Sequence, residues 1–372
     1  MALDWTAFTA PVTPPQIQQW KAAAKAAGHR WAGNQIAQIV VLYVALVPVI
    51  GLFAIFGVAL LAGGLIGLIS GETSTALFGG FGIVVGLLCL GLVALSVWGL
   101  TKIVPNERRW ERWLRLDWFA RTNRMTFSPA DPDPRYPGAI FQSGSNRQAI
   151  DHFRSVDGRF FDLGNFQFVT SNGKNSTTHT WGFLALSLER RLPHMLLDAI
   201  QNNTWGLSGL AGGLDRSQVL SLEGDFDRYF TLYCPRRYET DALYVFTPDL
   251  MALCIDQVAP FDVEIVDDWM FVYAPRGFRM DDPALLDRLF RIIDVVGAKA
   301  LKQTRRYRDE KATTPEGLPA AFAANAVAAP GQRLRRRFPT AVIVVLAVVL
   351  GLPVVIGAIA VIAALVAATA AG

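Results

Sequence analysis

The sequence predicts three α-helical membrane spans and a cytosolic α+β domain with an antiparallel sheet. Three observations predict it. Blocks 36–69, 76–100 and 338–369 hold no Asp, Glu, Lys, Arg or His, and about 20 apolar residues suffice for a helix to cross a bilayer. Basic residues crowd one end of each block. Between the second and third blocks the chain has ordinary globular composition, with alternating apolar segments that read as strands. Only 18% of the 372 residues are charged, against about 25% in soluble chains.

The N-terminal segment 1–35 is polar. Thr13 before Pro14 and Pro15 reads as an N-cap with proline in the first turn. A short helix follows with Trp20, Lys21 and Lys25, and Trp31 near its end, suited to an interface. Residues 36–103 form a two-span hairpin across a loop, 70–75, whose one charge is Glu72. Glycines at intervals of four (Gly63, Gly67, Gly71, Gly82 and Gly86) let the two helices approach. A homo-oligomer contact is their alternative use. Lys21, Lys25 and Arg30 precede the first block, Lys102 to Arg124 follow the second, and Arg333 to Arg337 precede the third. By the positive-inside rule the N-terminus and central domain face the cytosol and the C-terminus lies outside, in a multi-pass arrangement. The net charge of +4 comes from these flanks and is no nucleic-acid footprint.

The domain spans 104–311. Its first helix, 105–119, carries Trp110, Trp113 and Trp118 among arginines. Residues 131–138 are rich in Pro and Asp and read as loop. Segments 165–171 and 178–188 alternate around Asn172-Gly173, a hairpin signal. Glycines mark 201–217 as loop. Segments 228–234 and 242–246 read as strands. Thr247-Pro248 starts a helix to about Val258. Residues 262–266 and 269–273 read as a second hairpin across Asp267-Asp268. Asp282-Pro283 starts a helix through about Lys302. The Ala- and Pro-rich 312–332 has linker composition, so 312–337 is read as a loose tether with a basic flank, leading to the third span in 338–372.

Four segments carry a resemblance: 192–199 (LPHMLLDA), 222–235 (LEGDFDRYFTLYCP), 241–256 (DALYVFTPDLMALCID) and 262–273 (DVEIVDDWMFVY). Over roughly 135–311 the chain resembles a family of bacterial, mainly actinobacterial, membrane proteins. There a double span precedes a cytosolic domain with no assigned function. The resemblance implies this architecture and an inner-membrane location. It implies no activity and no site residues.

Candidate chemistry is sparse. His194 and Asp198 share one face if Pro193 starts a helix, and a histidine oriented by a carboxylate is a general base. Against this stands a structural hydrogen-bonded pair. Glu223, Asp225 and Asp227 alternate along an expected strand and could hold a hard cation. The favoured reading is a solvated edge with Phe226 turned inward. The four histidines lack zinc spacing, and no phosphate-binding glycine pattern occurs, so neither metal nor cofactor is expected. Cys234 before Pro235-Arg236-Arg237 suits a lowered thiol pKa, but a small buried hydrophobe is the commoner use. Cys254 reads as core. The leading expectation is a membrane-anchored cytosolic binding module, adaptor or sensor, with the bilayer and a protein as partners. The alternatives are an enzyme at the inner leaflet using His194, Asp198, Asp225 and Asp227, and a lipid-handling or transport accessory.

Overall fold

The computed structural model describes residues 3–69, 73–103, 107–173, 175–203, 209–312 and 325–336. It divides into two compact units, 5–119 and, with the first four residues, 120 onward.

The first unit is helical. A short α1 (Thr6–Thr9) leads to α2 (Pro14–Ala26), α3 (Arg30–Ile69) and α4 (Thr73–Ile103). The Thr13 backbone N–H donates to Gln16 Oε1 at 2.8 Å, closing the first turn of α2 as the Thr-Pro-Pro pattern predicts. Windows Val47–Gly67 and Gly79–Trp98 are long and apolar enough to cross a membrane. Only 11% of each window is buried, and Leu52, Ile55, Ile66 and Phe81 point outward. The two helices pack closely at Gly57, Gly64, Gly82 and Gly86. A Cβ on Gly64 would lie 2.6 Å from the Gly79 carbonyl oxygen, and one on Gly86 2.8 Å from that of Gly57. Gly63, expected in this seam, faces open space, because the seam follows a seven-residue spacing from 57 to 64. The helix α5 (Glu107–Thr122) is tied to the N-terminal segment by Trp20 Nε1–H to Asp117 Oδ2 at 2.8 Å. Arg115 donates to the Ala10 carbonyl at 2.8 Å. Trp20, Trp31, Trp110 and Trp113 stack edge and face around it. The third apolar block, 338–369, lies outside the described residues.

The second unit is an antiparallel sheet with helices, as the sequence predicts. Strands β1 (Met125–Pro132), β2 (Ser145–Ser155), β3 (Phe161–Ser171) and β4 (Ser176–Ala199) follow one another as a meander. The expected hairpin is β3–β4, in register from Phe161 opposite Leu186 to Ser171 opposite Ser176. The strand β5 (Val219–Leu220) pairs with β6 (Phe230–Tyr233), which pairs with residues 196–199 at the end of β4, and β7 (Asp262–Pro275) pairs along β4. Helices α6 (Glu239–Val245) and α7 (Pro248–Leu253) precede β7. After it come α8 (Pro283–Arg291) and α9 (Ala298–Thr304), joined by a π turn. Asp282 caps α8 through the amides of Ala284 and Leu285. Phe141, Phe166, Phe183, Phe271 and Tyr273 build one aromatic core on a sheet face.

Four expectations change. Residues 193–199 are strand, not helix: β4 continues through Pro193, which sits where the β4–β7 register shifts. A proline without N–H is tolerated at such an irregularity. Residues 242–246 are mostly helix α6, which buries Ala242 and Val245 and exposes Leu243 and Tyr244, a spacing of three rather than two. Residues 262–273 form one strand, because Asp267 takes φ +53° in a bulge rather than a turn. Residues 223–227 are turn and 3-10 helix.

The described part of the Ala- and Pro-rich stretch is no loose tether. Residues 325–336, with α10 (Ala329–Gln332), strap back onto the domain. Arg333 pairs with Asp267 at 2.9 Å. Leu334 packs with Leu196, Ala211 and Leu214. The Arg335 amide donates to Gln218 Oε1 at 2.8 Å.

Candidate functional site

His194 lies on β4, where the strand faces β7. Its Nε2 is 2.8 Å from Glu264 Oε1. Its Nδ1 is 3.1 Å from the Leu334 backbone nitrogen. A backbone N–H only donates, so Nδ1 accepts and the proton sits on Nε2, donated to Glu264. Glu264 is 1% exposed. Its other oxygen accepts from the Ala139 N–H and the Tyr273 hydroxyl, each at 2.8 Å. Three donors therefore satisfy one buried carboxylate. Burial, followed by the charge of Glu264, pushes the Tyr273 phenol far above its ordinary range.

His194 thus pairs with Glu264 and not with Asp198. Four residue steps along β4 place the two about 13 Å apart. Asp198 is itself buried and accepts from Asn203 Nδ2 at 3.0 Å. Its neighbour in the sheet is Asp262, whose Oδ1 accepts from the Ala199 N–H and Asn202 Nδ2, both at 2.9 Å. Burial pushes Asp262 up to about 7, the charge of Asp198 adds to it, and the two hydrogen bonds oppose.

Asp225 and Asp227 lie elsewhere, exposed on the turn before β6. Asp227 accepts from the Ser221 hydroxyl and from the Leu222 N–H. Between the two aspartates Phe226 is buried and stacks on Phe230 at 5.1 Å, the inward turn expected of it. The four sequence candidates therefore occupy three separate places. No group of three or more His, Cys, Asp or Glu among the described residues is arranged to hold a metal ion. Cys234 and Cys254 are buried, and burial pushes each thiol up to about 12, Glu239 and Asp241 adding to the shift of Cys234. The lowered thiol considered for Cys234 is not found, because burial, and after it the carboxylates of Glu239 and Asp241, disfavour the thiolate.

A network that the sequence analysis missed crosses β1, β2 and β3. His152 Nδ1 is 2.7 Å from Asp162 Oδ1, and its Nε2 is 3.1 Å from Asp131 Oδ2. Both partners are carboxylates, so both ring nitrogens donate and the ring is an imidazolium. Arg154 Nε donates to Asp162 Oδ2 at 2.8 Å, and the Tyr136 hydroxyl donates to the same oxygen at 2.7 Å. Two cations balance two carboxylates. Burial opposes charge on His152, but the bonds to Asp131 and Asp162 outweigh it and raise its pKa to about 9. The bond from His152 likewise lowers Asp131 to about 2, against partial burial. A Cβ on Gly164 would collide with His152, so glycine lets β3 close over the ring. The alternation of His152 and Arg154 on β2 was the available signal, but their partners lie on other strands.

Open hollows occur on the surface of the described residues. One of about 680 Å³ is lined by Arg135, Gln142, Arg147 and Arg333 among others. Another of about 650 Å³ is lined by Asp241, Tyr244, Arg306 and Arg308 among others. His194, Asp198, Asp225 and Asp227 line neither.

No family model and no curated protein matches this sequence. A crystal structure of the mycobacterial trehalose monomycolate transport factor A, TtfA, aligns with 51% of this chain and 92% of its own length. The identity is 10% and the TM-score 0.34, a likeness too slight to carry an argument.

The Glu264 centre gives a direct test. Glu264→Gln turns one acceptor into an amide that faces a donor. A buried donor left unmatched costs about 2 kcal/mol. Chemical denaturation of the full-length protein in detergent should show that loss; an unshifted midpoint would remove the centre's structural role.

Proposed function

We propose that the protein is a membrane-anchored binding module, an adaptor or sensor. In this reading the helices of residues 47–67 and 79–98 cross the bilayer, and the block 338–369 crosses as a third span. The N-terminus and the α+β domain face the cytosol. The apolar side chains that point outward from the hairpin support the anchor. Exposing each large apolar side chain to water costs about 1.5–3 kcal/mol, so Leu52, Ile55, Ile66 and Phe81 together cost on the order of 10 kcal/mol. The basic residues at the ends of the apolar blocks support the sidedness.

The observation that carries the binding role is where the domain's acid–base groups go. His152 and His194 are each held at both ring nitrogens by the fold itself. Asp198 and Asp262 are buried and hydrogen-bonded. A general base must reach a substrate proton, and these side chains are turned into the protein. Outward the domain presents open hollows whose linings mix arginines and tyrosines with Asp133, Asp241 and Glu310.

The test has two parts. A Thr75→Cys variant should be labelled by an impermeant thiol reagent in intact cells, and Arg279→Cys only after permeabilisation. Full-length protein purified in mild detergent should carry a stoichiometric partner, retained by Asp225→Ala. Loss of the protein from carbonate-washed membranes would end the anchor reading. The absence of any stoichiometric partner would end the adaptor reading.

A further inference from the structure

The strap that follows α10 is held at Leu334 by a histidine. In the sequence residues 333–336 precede the third apolar block. Its Leu334 N–H ends on His194 Nδ1 at 3.1 Å, and the Leu334 side chain is buried. On the other side of the ring Nε2–H donates to Glu264 at 2.8 Å. The ring therefore bridges β7 and the strap, and the bridge requires the neutral tautomer with Nδ1 bare.

We propose that His194 is an acid-sensitive latch, which releases the strap of residues 333–336 when its Nδ1 takes a proton. Protonation puts an N–H on Nδ1, opposite the Leu334 N–H. Two donors then face each other where one hydrogen bond stood, and the Leu334 amide must move. The imidazolium keeps its bond to Glu264, which becomes an ion pair, so the proton finds a stabilising neighbour on β7. The undocked arrangement binds that proton better than the docked one. Acid therefore favours release, by the linkage between proton binding and conformation.

The charged and titratable groups on the surrounding elements include Glu264, Asp267 and Tyr273 on β7, Arg191 and Asp198 on β4, Tyr233 on β6, Asp215 before β5, and Arg333, Arg335 and Arg336 on the strap. Glu264 is fully bonded, Tyr273 donates to it, and Asp267 pairs with Arg333. Of the groups bonded to the Leu334 amide, His194 alone turns from acceptor to donor when it takes a proton. Of the other strap anchors, the Arg335 amide on Gln218 Oε1 and the Arg335 carbonyl oxygen, which accepts from the Asp215 N–H at 3.0 Å and from Gln218 Nε2 at 2.9 Å, involve no titrating atom, and Arg333 is held separately by Asp267 at 2.9 Å. Release is thus local: it starts at Leu334 and loosens the segment that follows.

Hydrogen exchange of the full-length protein in detergent tests this, with rates corrected for the intrinsic effect of pH. Between about pH 8 and about pH 5.5, protection of the Leu334 and Arg335 amides should fall roughly tenfold to hundredfold, the worth of one buried hydrogen bond. Protection of the Gly331 amide, bonded to the Ala328 carbonyl, should hold. In His194→Gln the side-chain oxygen accepts from Leu334 without titrating, so protection should not depend on pH. Unchanged protection in the wild type would overturn the latch, whether or not the variant folds. An equal fall in His194→Gln would also overturn it, since another group would then be the switch.

Discussion

His152→Gln is expected to lower the stability of the α+β domain by about 3–5 kcal/mol at neutral pH, the usual cost of removing one partner from a buried ion network. The variant leaves Asp162 and Asp131 facing Arg154 alone, with one carboxylate charge uncompensated. The wild-type pH profile should show the same centre. His152 has its folded pKa raised to about 9 from the ordinary 6.5, so its contribution is complete below pH 6.5 and is lost as pH rises through about 9. The shift corresponds to about 3 kcal/mol. Asp131 behaves in the opposite sense. Its folded pKa is lowered to about 2, so its contribution is present above pH 3.8 and is lost as pH falls through about 2. Denaturation midpoints of the full-length protein in detergent, taken from pH 6 to pH 10, should decline along an alkaline limb that His152→Gln lacks. A wild-type midpoint that is flat across that range would show the ring to be neutral.

Asp262→Asn is expected to act in the opposite direction and to stabilise. A carboxyl whose folded pKa is raised, here to about 7 from 3.8, holds its proton more tightly when folded. Stability is therefore greatest below pH 3.8 and falls as pH rises toward about 7. The full penalty at pH 8 approaches about 4 kcal/mol. Asparagine keeps an oxygen for the Ala199 N–H and the Asn202 amide, and it carries no charge toward Asp198. The gain should reach about 2–4 kcal/mol above pH 7 and vanish below pH 4. Unfolding midpoints at pH 8 and pH 4 would measure it. An equal gain at both pH values would mean that shape, not ionisation, was responsible.

Sequence and structure meet most closely where the chain's own neighbours decide the outcome. The apolar runs of α3 and α4, the Thr13 and Asp282 starts of α2 and α8, and the Asn172-Gly173 end of the β3–β4 hairpin are all local. Each depends on residues within one or two turns of itself. Misreadings cluster where a local signal was overruled at a distance. Asp267-Asp268 has turn composition, but pairing with Leu192 keeps β7 running through it. Pro193 before an apolar run suggests a helix start, but the register shift against β7 absorbs it. Residues 242–246 were read with a period of two, although Ala242 and Val245 are three apart.

The candidate site was less legible for a related reason. His194 and Asp198 were singled out by their spacing, yet their partners, Glu264 and Asn203, come from other elements. The same is true of His152, whose carboxylates lie 21 residues before it and 10 after it. Nor did composition show the strap. An Ala- and Pro-rich segment looks like a linker until Leu334 and the Arg335 backbone find places on the domain.

By itself the sequence determined the apolar hairpin, the α+β class with its antiparallel sheet, and the caps that start its helices, because periodicity and capping act over a few residues. Only the tertiary structure decided which charges meet. Strand register brings Asp131, His152 and Asp162 to one centre and Glu264 under His194, and the returning strap then turns that histidine from a candidate base into a clamp.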